Sequence, residues 1–419
     1  MLAASLAEAL LVGEAVPAFA EIEYRYGAHH YDPLPLVLVR GEGAYLWDEQ
    51  GRRYLDMMSA YSALSHGHCH PRITRVLAEQ ARTLALTSRV YYNNRLPLFL
   101  RRLCEITGLP MALPANTGLE AVEAALKAAR KWAYTVKGVA PDRAQIIACE
   151  GNFHGRSIAI LAMSSEAQYR DGFGPYPLGF ELVPFGDADA LERAITPDTA
   201  AFLVEPIQGE GGIIVPPPGY LARCARICRA HNVLLICDEV QTGLGRTGRM
   251  LACEHEGVRP DAVILGKALG GGVLPVSALV GRRDLMEVFR PGDHGSTFAG
   301  SPLAAAVGLE ALNVLVERRL PERAAELGGY FMRRLQEISS PLVREVRGKG
   351  LLIGVEIDTE RVPARVLCER LLERGVLTKD THGRVLRFTP ALIITREQID
   401  EAVAALRAVL TELDQAPPA

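Results

Sequence analysis

The hydrophobic positions in the middle of the chain form short, uninterrupted runs separated by longer segments with helical spacing. Six such apolar runs cover residues 145–149, 180–184, 200–204, 233–237, 262–265 and 276–280. Strands that are apolar on both faces suit a parallel sheet covered by helices on both sides. The alternation therefore predicts an α/β fold with a mainly parallel central sheet.

The regions on either side mix strands and helices over shorter distances, which predicts a smaller α/β lobe. The elements predicted there are strands at 36–40, 44–48, 343–347, 351–357 and 385–389 and helices at 303–318, 321–338, 363–374 and 396–413. A chain of 419 residues exceeds one typical core, so two lobes are expected. We divide the chain into an N-terminal segment (1–60) that contributes to the small lobe, a large domain (61–305) and a C-terminal small domain (306–419).

Two strands of the predicted sheet end in an acid and in an amine. The run at 233–237 leads to Asp238, and the run at 262–265 leads through Gly266 to Lys267. Because ligands of parallel sheets bind beyond the carboxyl ends of the strands, both side chains are expected at one site. A lysine for a Schiff base and an acid for a pyridinium nitrogen are what a pyridoxal phosphate enzyme needs. A solvated lysine and an ordinary strand-end acid stay open as the alternative.

A helix with a marked N-terminus is predicted ahead of these strands. Thr117 and Glu120 have capping-box spacing before the pattern AVEAALKAARKWAY, so a helix should begin there. Gly118 lets a ligand approach the free amides closely, which makes the helix start a candidate anion site. A helix cap without a ligand is the alternative.

Two other patterns suggest different chemistry. The alternating histidines His66, His68 and His70 could bind a metal ion, although neither an acid nor a fourth ligand stands beside them in the sequence. The G-x-G-x-x-G pattern from Gly243 to Gly248 follows a strand, as in dinucleotide-binding folds, but it contains an arginine where a plain apolar helix start is expected. Both patterns stay open as alternatives at this stage.

Composition and charge argue against several classes of function. The formal net charge is −3 and the pI about 6.4, so a nucleic-acid-binding face has no electrostatic support. No stretch of the sequence is long and apolar enough to span a bilayer. The eight scattered cysteines form no C-x-x-C pair, which favours reduced thiols in a cytoplasmic protein. The first twenty residues predict an amphipathic helix rather than a secretory signal, because no basic residue precedes Arg25.

Longer motifs extend from about Glu21 to about Leu410. They include NTGLEAVEAALKAARKWAYTVKG, GNFHGR, FLVEPIQGEGG, CDEVQTGLGRTGR, LGKALGGG, HGSTFAGSPL and THGRVLRFTPAL. In this order they resemble the class III, fold-type I aminotransferases, which use pyridoxal 5′-phosphate, and within that family they are most similar to the ornithine aminotransferases. The resemblance implies transfer of the δ-amino group of L-ornithine to 2-oxoglutarate by a ping-pong mechanism. The products would be glutamate and glutamate 5-semialdehyde, which cyclises to pyrroline-5-carboxylate.

The resemblance also implies which residues bind the cofactor. Lys267 would hold the cofactor aldehyde as a Schiff base and, once released, would carry a proton to and from the substrate. Asp238 would pair with the pyridinium nitrogen and keep it protonated. The other implied contacts are Gly118 and Leu119 with the phosphate, Phe153 with the ring face, Gln241 with the ring 3-oxygen, and Thr297 with the phosphate in the partner subunit. A homodimer with shared active sites is therefore implied, and higher oligomers stay open.

A further set of residues is implied in substrate binding. Tyr31 would contact the α-amino group of ornithine, and Arg156 its α-carboxylate, a task that suits a guanidinium. Arg387 would bind the α-carboxylate of 2-oxoglutarate or glutamate. While ornithine is bound, Glu210 would pair with Arg387 and mask it. Tyr61 would line the same pocket.

Other activities stay open beside this one. The amino donor could be N-acetylornithine, 4-aminobutyrate or lysine, or Lys267 could reprotonate the substrate carbon in a racemase of basic amino acids. A catalytically silent scaffold and a dinucleotide enzyme are alternatives from other classes. Tyr31 together with Arg156 favours ornithine, and His154 is expected to shape the pocket wall and thereby substrate preference.

Overall fold

The computed structural model describes residues 18–415, which contain one seven-stranded and two four-stranded sheets. The strands are β1 (Leu38–Glu42), β2 (Tyr45–Asp48), β3 (Arg53–Asp56), β4 (Met111–Ala115), β5 (Gln145–Cys149), β6 (Phe180–Val183), β7 (Thr199–Val204), β8 (Leu234–Asp238), β9 (Ala262–Leu265), β10 (Ser277–Gly281), β11 (Val343–Lys349), β12 (Leu352–Ile357), β13 (Val376–Leu377), β14 (Lys379–Thr381) and β15 (Val385–Phe388).

The α-helices are α1 (Ala18–Tyr26), α2 (Pro71–Thr83), α3 (Leu96–Thr107), α4 (Gly118–Trp132), α5 (Ile158–Leu161), α6 (Ala167–Arg170), α7 (Ala188–Ala194), α8 (Tyr220–Ala230), α9 (Arg283–Met286), α10 (Pro302–Glu317), α11 (Leu320–Gln336), α12 (Ala364–Glu373) and α13 (Arg396–Gln415). Shorter helical turns of other kinds are Ser59–Ser62, Ala133–Lys137, Ala252–Glu256 and Lys267–Gly270. The predicted helix over the first twenty residues lies outside the described residues, except for the three that begin α1.

The seven-stranded sheet is mainly parallel, as the apolar runs predicted. Its strand order is β4-β10-β9-β8-β7-β5-β6, and the five strands from β9 to β6 are mutually parallel. Strand β10 runs antiparallel to both of its neighbours, β9 and β4. The predicted α/β fold class is therefore confirmed, with one reversed strand near one edge.

Both faces of this sheet are buried, which explains why its strands lack polar alternation. Ile236 packs into the core on the side of α4, whereas its neighbour Cys237 packs into the core on the opposite face. Helix α4 presents small buried side chains to the sheet, namely Ala121, Ala124, Ala125, Ala128 and Ala129. Because these side chains are small, the helix can lie close to the strands and place its N-terminus at the edge of the sheet where the strands end.

The remaining strands form two smaller sheets. Strands β11, β12, β15 and β14 form an antiparallel sheet in that order, and β15 carries Arg387. The other sheet has the order β1-β2-β3-β13, and its parallel β3–β13 pair sets Leu55 opposite Val376. This pair links the N-terminal segment to the C-terminal part of the chain, while the domain boundaries themselves stay a prediction. None of the helices in the described part of the chain has the length and apolar character needed to cross a membrane.

Candidate active site

The acid and the amine predicted at strand ends both lie at the carboxyl ends of the parallel strands of the central sheet. Asp238 is the last residue of β8, and Lys267 follows the neighbouring strand β9 after Gly266. Lys267 has a left-handed backbone with φ of 42°, and residues 18–415 offer its amine no hydrogen-bond partner. Loss of hydration lowers the pKa of Lys267 to about 8, against the opposing charge of Glu210. This amine is therefore available as a nucleophile or a base near neutral pH.

The carboxylate of Asp238 is held by a histidine that is itself buried. His154 donates from Nδ1 to Oδ2 of Asp238 at 2.7 Å, and the backbone amide of Val240 donates to Oδ1 at 3.1 Å. Burial opposes protonation of His154, but the hydrogen bond and the charge of Asp238 raise its pKa above the ordinary value. The side chain of His154 is fully buried, so it acts on the site through Asp238 rather than as an exposed part of the pocket wall.

A second buried acid, Glu205, lies after β7 and is not among the site residues predicted from the sequence. It accepts hydrogen bonds from the backbone amides of Phe153 at 3.0 Å and of Gly209 at 3.2 Å. Burial raises the pKa of Glu205 to about 7, against the opposing charge of His154. An acid after an apolar strand was the available signal, the same one that marked Asp238. Glu205 thereby connects the loops that carry Phe153 and Gly209.

The predicted anion site is formed by the start of α4, with both halves of the capping box present. Thr117 accepts a hydrogen bond from the amide of Glu120 at 3.2 Å, and the Glu120 carboxylate accepts one from the amide of Thr117 at 3.3 Å. A Cβ atom on Gly266 would lie 3.6 Å from the Cα atom of Gly118. The free amides of this helix therefore lie beside the end of β9, next to the reactive amine.

An exposed guanidinium lies beside two aromatic rings near this helix start. Arg156 is 4.3 Å from the centre of the Tyr169 ring and 5.7 Å from that of Phe153, whose rings meet edge to face. Among residues 18–415 no acid forms an ion pair with Arg156, which leaves its guanidinium available to a carboxylate. Leu119 packs against Gly155, where an added Cβ atom would lie 3.3 Å from that of Leu119.

The second predicted guanidinium is buried and paired. Arg387 donates to Glu210 at 2.7 Å, and only 1% of its side chain is exposed. Gln241 bridges the pair, because its amide nitrogen donates to Glu210 at 3.1 Å and its oxygen accepts from Arg387 at 3.3 Å. Burial opposes ionisation of Glu210, but the charges of Arg387 and Lys267 lower its pKa to about 2. The predicted Glu210–Arg387 pair is present in the structure.

Glycine at position 209 is required by this network. A Cβ atom there would lie 1.5 Å from the side-chain oxygen of Gln241, so that side chain would have to move. Any side chain at Gly209 would therefore displace Gln241 from Glu210 and Arg387.

Tyr61 enters the site from an unusual left-handed turn. Residues Ser59–Ser62 all have positive φ angles, between 46 and 72°, which is unfavourable for residues other than glycine. Asp56 stabilises the turn by accepting from the amides of Met58 at 2.9 Å and Ser59 at 2.8 Å. The guanidinium carbon of Arg387 lies over the Tyr61 ring, 5.3 Å from the ring centre.

Two histidines of the motif form hydrogen bonds within the fold. His68 pairs with Asp56 at 2.8 Å, and His66 is buried and bonds to the carbonyl oxygen of Ala311 at 2.9 Å. No cluster of three potential metal ligands occurs within residues 18–415. The metal alternative therefore finds no support in the described structure.

The dinucleotide pattern lacks the helix that it needs. Residues from Gly243 to Gly248 form turns, and no α-helix opens after them. Arg246 within this segment is fully buried and donates to the carbonyl oxygens of Leu351 and Pro390. The segment that follows β8 is therefore bonded to the residue before β12 and to a residue shortly after β15.

Two further predicted residues are exposed in the single chain, although Tyr31 lies near enough to Tyr61 for its charge to raise the pKa of that hydroxyl. Tyr31 has 66% of its surface exposed, and Thr297 is also exposed. The residue before Thr297, Ser296, accepts a hydrogen bond from Asn116 at 2.9 Å, so its segment lies beside the start of α4. The structure thus brings together the other predicted residues, which are Tyr61, Gly118, Leu119, Phe153, Arg156, Glu210, Asp238, Gln241, Lys267 and Arg387.

Comparisons with known proteins identify the family of the chain. The ornithine aminotransferase of an Exiguobacterium strain is 55% identical over 390 residues, covering 93% of this chain and 96% of the relative. A crystal structure of the ornithine aminotransferase from Toxoplasma gondii, whose active site holds pyridoxal phosphate at partial occupancy, is 44% identical, with a TM-score of 0.93 and 99% of both chains covered. An acetylornithine aminotransferase from Elizabethkingia anophelis is also 44% identical, with a TM-score of 0.85 over 94% of this chain and 98% of that one. The family profile of the class-III aminotransferases matches residues 26–410, and the chain belongs to this family.

Proposed function

We propose that this protein is a pyridoxal phosphate-dependent ornithine δ-aminotransferase that uses 2-oxoglutarate as amino acceptor. The observation that carries the proposal is the contrast between its two guanidiniums. Arg387 is buried and masked by Glu210, whereas Arg156 is exposed and unpaired in the described structure. A site with one masked and one free guanidinium can hold a diamino acid by its far end and a keto acid by its near end.

The residues of the site fit pyridoxal phosphate. The free amides at the start of α4 suit its phosphate, the amine of Lys267 suits its aldehyde, and the carboxylate of Asp238 suits its ring nitrogen. Phe153 supplies a half-buried ring for stacking, and Gln241 a side-chain amide for the ring oxygen. When bound, the cofactor supplies an aldehyde that takes up the amino group and a ring that accepts the electrons of the broken C–H bond.

In the donor half-reaction, the protein holds ornithine by its far end. Arg156 binds the α-carboxylate and Tyr31 the α-amine, which leaves the δ-amine directed to Lys267. The amine of Lys267 is unprotonated above about pH 8, so it can take a proton from the substrate carbon at its Nζ atom and return it. Glu210 stays ionised and keeps Arg387 from attracting the ornithine carboxylate.

In the acceptor half-reaction, Arg387 exchanges Glu210 for the α-carboxylate of 2-oxoglutarate. Gln241 touches both members of the pair, so it can keep Glu210 in place when Arg387 turns to the substrate. The face of the Tyr61 ring lies against Arg387 and limits the directions in which the guanidinium can move.

The assembly that we propose is a homodimer with shared sites. Thr297 is exposed in the single chain, which suits a residue that reaches the phosphate bound by a partner subunit. All eight cysteines are free, which suits the cytoplasm as the site of action. Location and subunit number both stay predictions.

N-Acetylornithine is the second candidate donor, because an acetylornithine aminotransferase is as similar in sequence as the Toxoplasma gondii enzyme, at 44% identity. An acetylated α-amine carries no charge and would lose the proposed contact with Tyr31 in part. The Tyr31→Phe variant should therefore weaken use of ornithine and change use of N-acetylornithine less.

The experiment is a product assay with purified protein, pyridoxal phosphate and 2-oxoglutarate. L-Ornithine, N-acetylornithine, 4-aminobutyrate and L-lysine are offered side by side, and pyrroline-5-carboxylate is trapped. Strong preference for ornithine with that product supports the proposal. Preference for another donor overturns the substrate assignment and leaves the family membership intact. The Lys267→Ala variant is the control that shows background turnover.

A further inference from the structure

A second basic residue, Lys379, lies on the strand next to Arg387, the buried arginine of the acceptor site. Lys379 begins β14, the edge strand of its sheet, and the antiparallel register sets it directly opposite Arg387 in β15. Side chains of directly opposed residues leave the same face of a sheet. The side chain of Lys379 therefore leaves the sheet on the face from which Arg387 enters the pocket.

The charge of Lys379 acts on the hydroxyl of Tyr61 inside the pocket. Burial and the charge of Glu210 raise the pKa of the Tyr61 hydroxyl, while the charges of Lys379 and Arg387 act in the opposite direction. Lys379 is 34% exposed, whereas Arg387 is 1% exposed. Lys379 is thus the more solvent-exposed of the two cations.

Lys379 is paired with an acid but keeps donors for a ligand. Its ammonium donates to Oδ1 of its neighbour Asp380 at 2.8 Å, and among residues 18–415 this is its one hydrogen bond. An ammonium group has three donors, so two remain for a substrate carboxylate.

The charge balance of the two half-reactions differs. When Arg387 pairs with Glu210, their charges cancel; when it turns to a substrate carboxylate, Glu210 and that carboxylate face a single guanidinium. An excess negative charge in a buried site is unfavourable unless a cation offsets it. The charge of Lys379 reaches Tyr61, whose ring lies against Arg387.

We propose that Lys379 promotes acceptor binding: its ammonium offsets the negative charge that arises when Arg387 releases Glu210 to bind the α-carboxylate of a keto acid. This inference rests on the proposed function, because it assumes that both half-reactions use one pocket. Lys379 acts on the acceptor half-reaction and is neutral or slightly unfavourable for the donor half-reaction, which a role in folding alone would not produce.

The test compares Lys379→Met and Lys379→Arg in the holoenzyme. The dissociation constant of glutarate, a dicarboxylate that cannot react, is measured by calorimetry, and each half-reaction is followed separately in single turnovers. Lys131→Met is the matched control, because Lys131 pairs with Asp293 at the same exposure, 35%, on another part of the surface. We expect Lys379→Met to weaken glutarate and 2-oxoglutarate by roughly fivefold, as for a partly exposed charge pair, and to change ornithine less than twofold.

The expected pattern includes recovery in Lys379→Arg and no change in Lys131→Met. Unchanged binding of glutarate in Lys379→Met, or equal weakening of both half-reactions, overturns the inference. Glutarate binding does not depend on the donor. If the enzyme rejects ornithine but Lys379→Met still loses glutarate affinity, the proposed function fails and the role of Lys379 stands.

Discussion

Lys267 combines two features that are unfavourable in an ordinary residue. Its backbone is left-handed, which costs about 1–2 kcal/mol for a residue with a side chain, and its amine has lost hydration without gaining a hydrogen bond in the described structure. Such strain persists only where the surrounding structure imposes it, and it concentrates at functional sites. As a result, the amine of Lys267 is unprotonated at a pH where the amine of free lysine is charged.

The first prediction concerns the pH at which this amine reacts. Mixing the cofactor-free protein with pyridoxal phosphate should form the covalent complex faster as pH rises, with a midpoint near 8 instead of the 10.5 of an ordinary lysine. Stopped-flow absorbance from pH 6 to pH 10 measures this midpoint, and Lys267→Ala should show no covalent band. A midpoint near 10 would contradict the desolvated amine.

The same pKa has a consequence for stability. Between about pH 8 and 10.5 the unfolded chain binds a proton at this lysine that the folded, cofactor-free chain does not bind. The contribution of Lys267 to stability is therefore unfavourable at low pH and is relieved as pH rises through this window.

The second prediction separates hydrogen bonding from charge at His154. His154→Phe keeps a ring but removes the donor to Asp238, and we expect cofactor affinity and turnover to fall about tenfold, the size of a lost hydrogen bond to a charged group. His154→Asn keeps a neutral donor near the position of Nδ1 and should recover part of the loss. Equilibrium dialysis of pyridoxal phosphate and initial rates provide the two measurements.

A specific result would count against this role of His154. Wild-type cofactor affinity in His154→Phe would show that Asp238 is held well enough by the amide of Val240 alone.

At the scale of elements, the sequence predicts most of what builds the site. The capping box of Thr117 and Glu120 places the start of α4 at the correct residue, because the signal and the structure that it makes are local. Apolar runs locate β8 and β9, and thereby Asp238 and Lys267, because a strand buried on both faces needs no other pattern.

Elements that form only because of distant partners in the chain could not be predicted from local sequence patterns. Strand β4 has the sequence MALPA, which is half-buried and contains a proline, and β14 has only three residues. Pairings between side chains are harder still. Asp238 meets His154 across 84 residues of sequence, and family resemblance, not local pattern, indicated the Glu210–Arg387 pair, 177 residues apart.

The third prediction concerns the loop that follows β7. Gly209→Ala would drive Gln241 away from Glu210 and Arg387, because the new Cβ atom would overlap its oxygen. We expect the KM for 2-oxoglutarate to rise roughly tenfold, since the hydrogen bond by which Gln241 holds Glu210 is lost. The KM for ornithine should change less, because the donor half-reaction needs Arg387 only to stay masked.

Gly329→Ala is the matched control for this change. Gly329 lies in α11, and an added Cβ atom there would meet only the end of the Arg333 side chain, at 3.7 Å. It should leave both KM values unchanged. Wild-type kinetics in Gly209→Ala would show that Gln241 does not control the exchange of Arg387 between its two partners.

At the scale of the whole molecule, the single chain exposes apolar and site residues that suit a second copy. Val90, Tyr91 and Tyr92 are 80%, 70% and 100% exposed. Contiguous exposed apolar residues are typical of surfaces that bind another protein. Thr297 is also exposed, and Phe298 beside it is 60% exposed. Both segments would be covered if two chains shared their sites across an interface, with each Thr297 directed to the phosphate of its partner.

The fourth prediction tests this sharing by mixing two inactive variants. Lys267→Ala removes the reactive amine, and Thr297→Glu places a negative charge where the phosphate of the partner would bind. If Thr297 serves the partner, a mixed dimer combines both defects in one site and leaves the other site intact. Random assortment should then restore about a quarter of wild-type activity from two inactive proteins. If Thr297 acts within its own chain, every site in the mixture carries a defect and no activity returns. Co-refolding or co-expression with two affinity tags isolates the mixed dimer, so the two arrangements give opposite results in one assay.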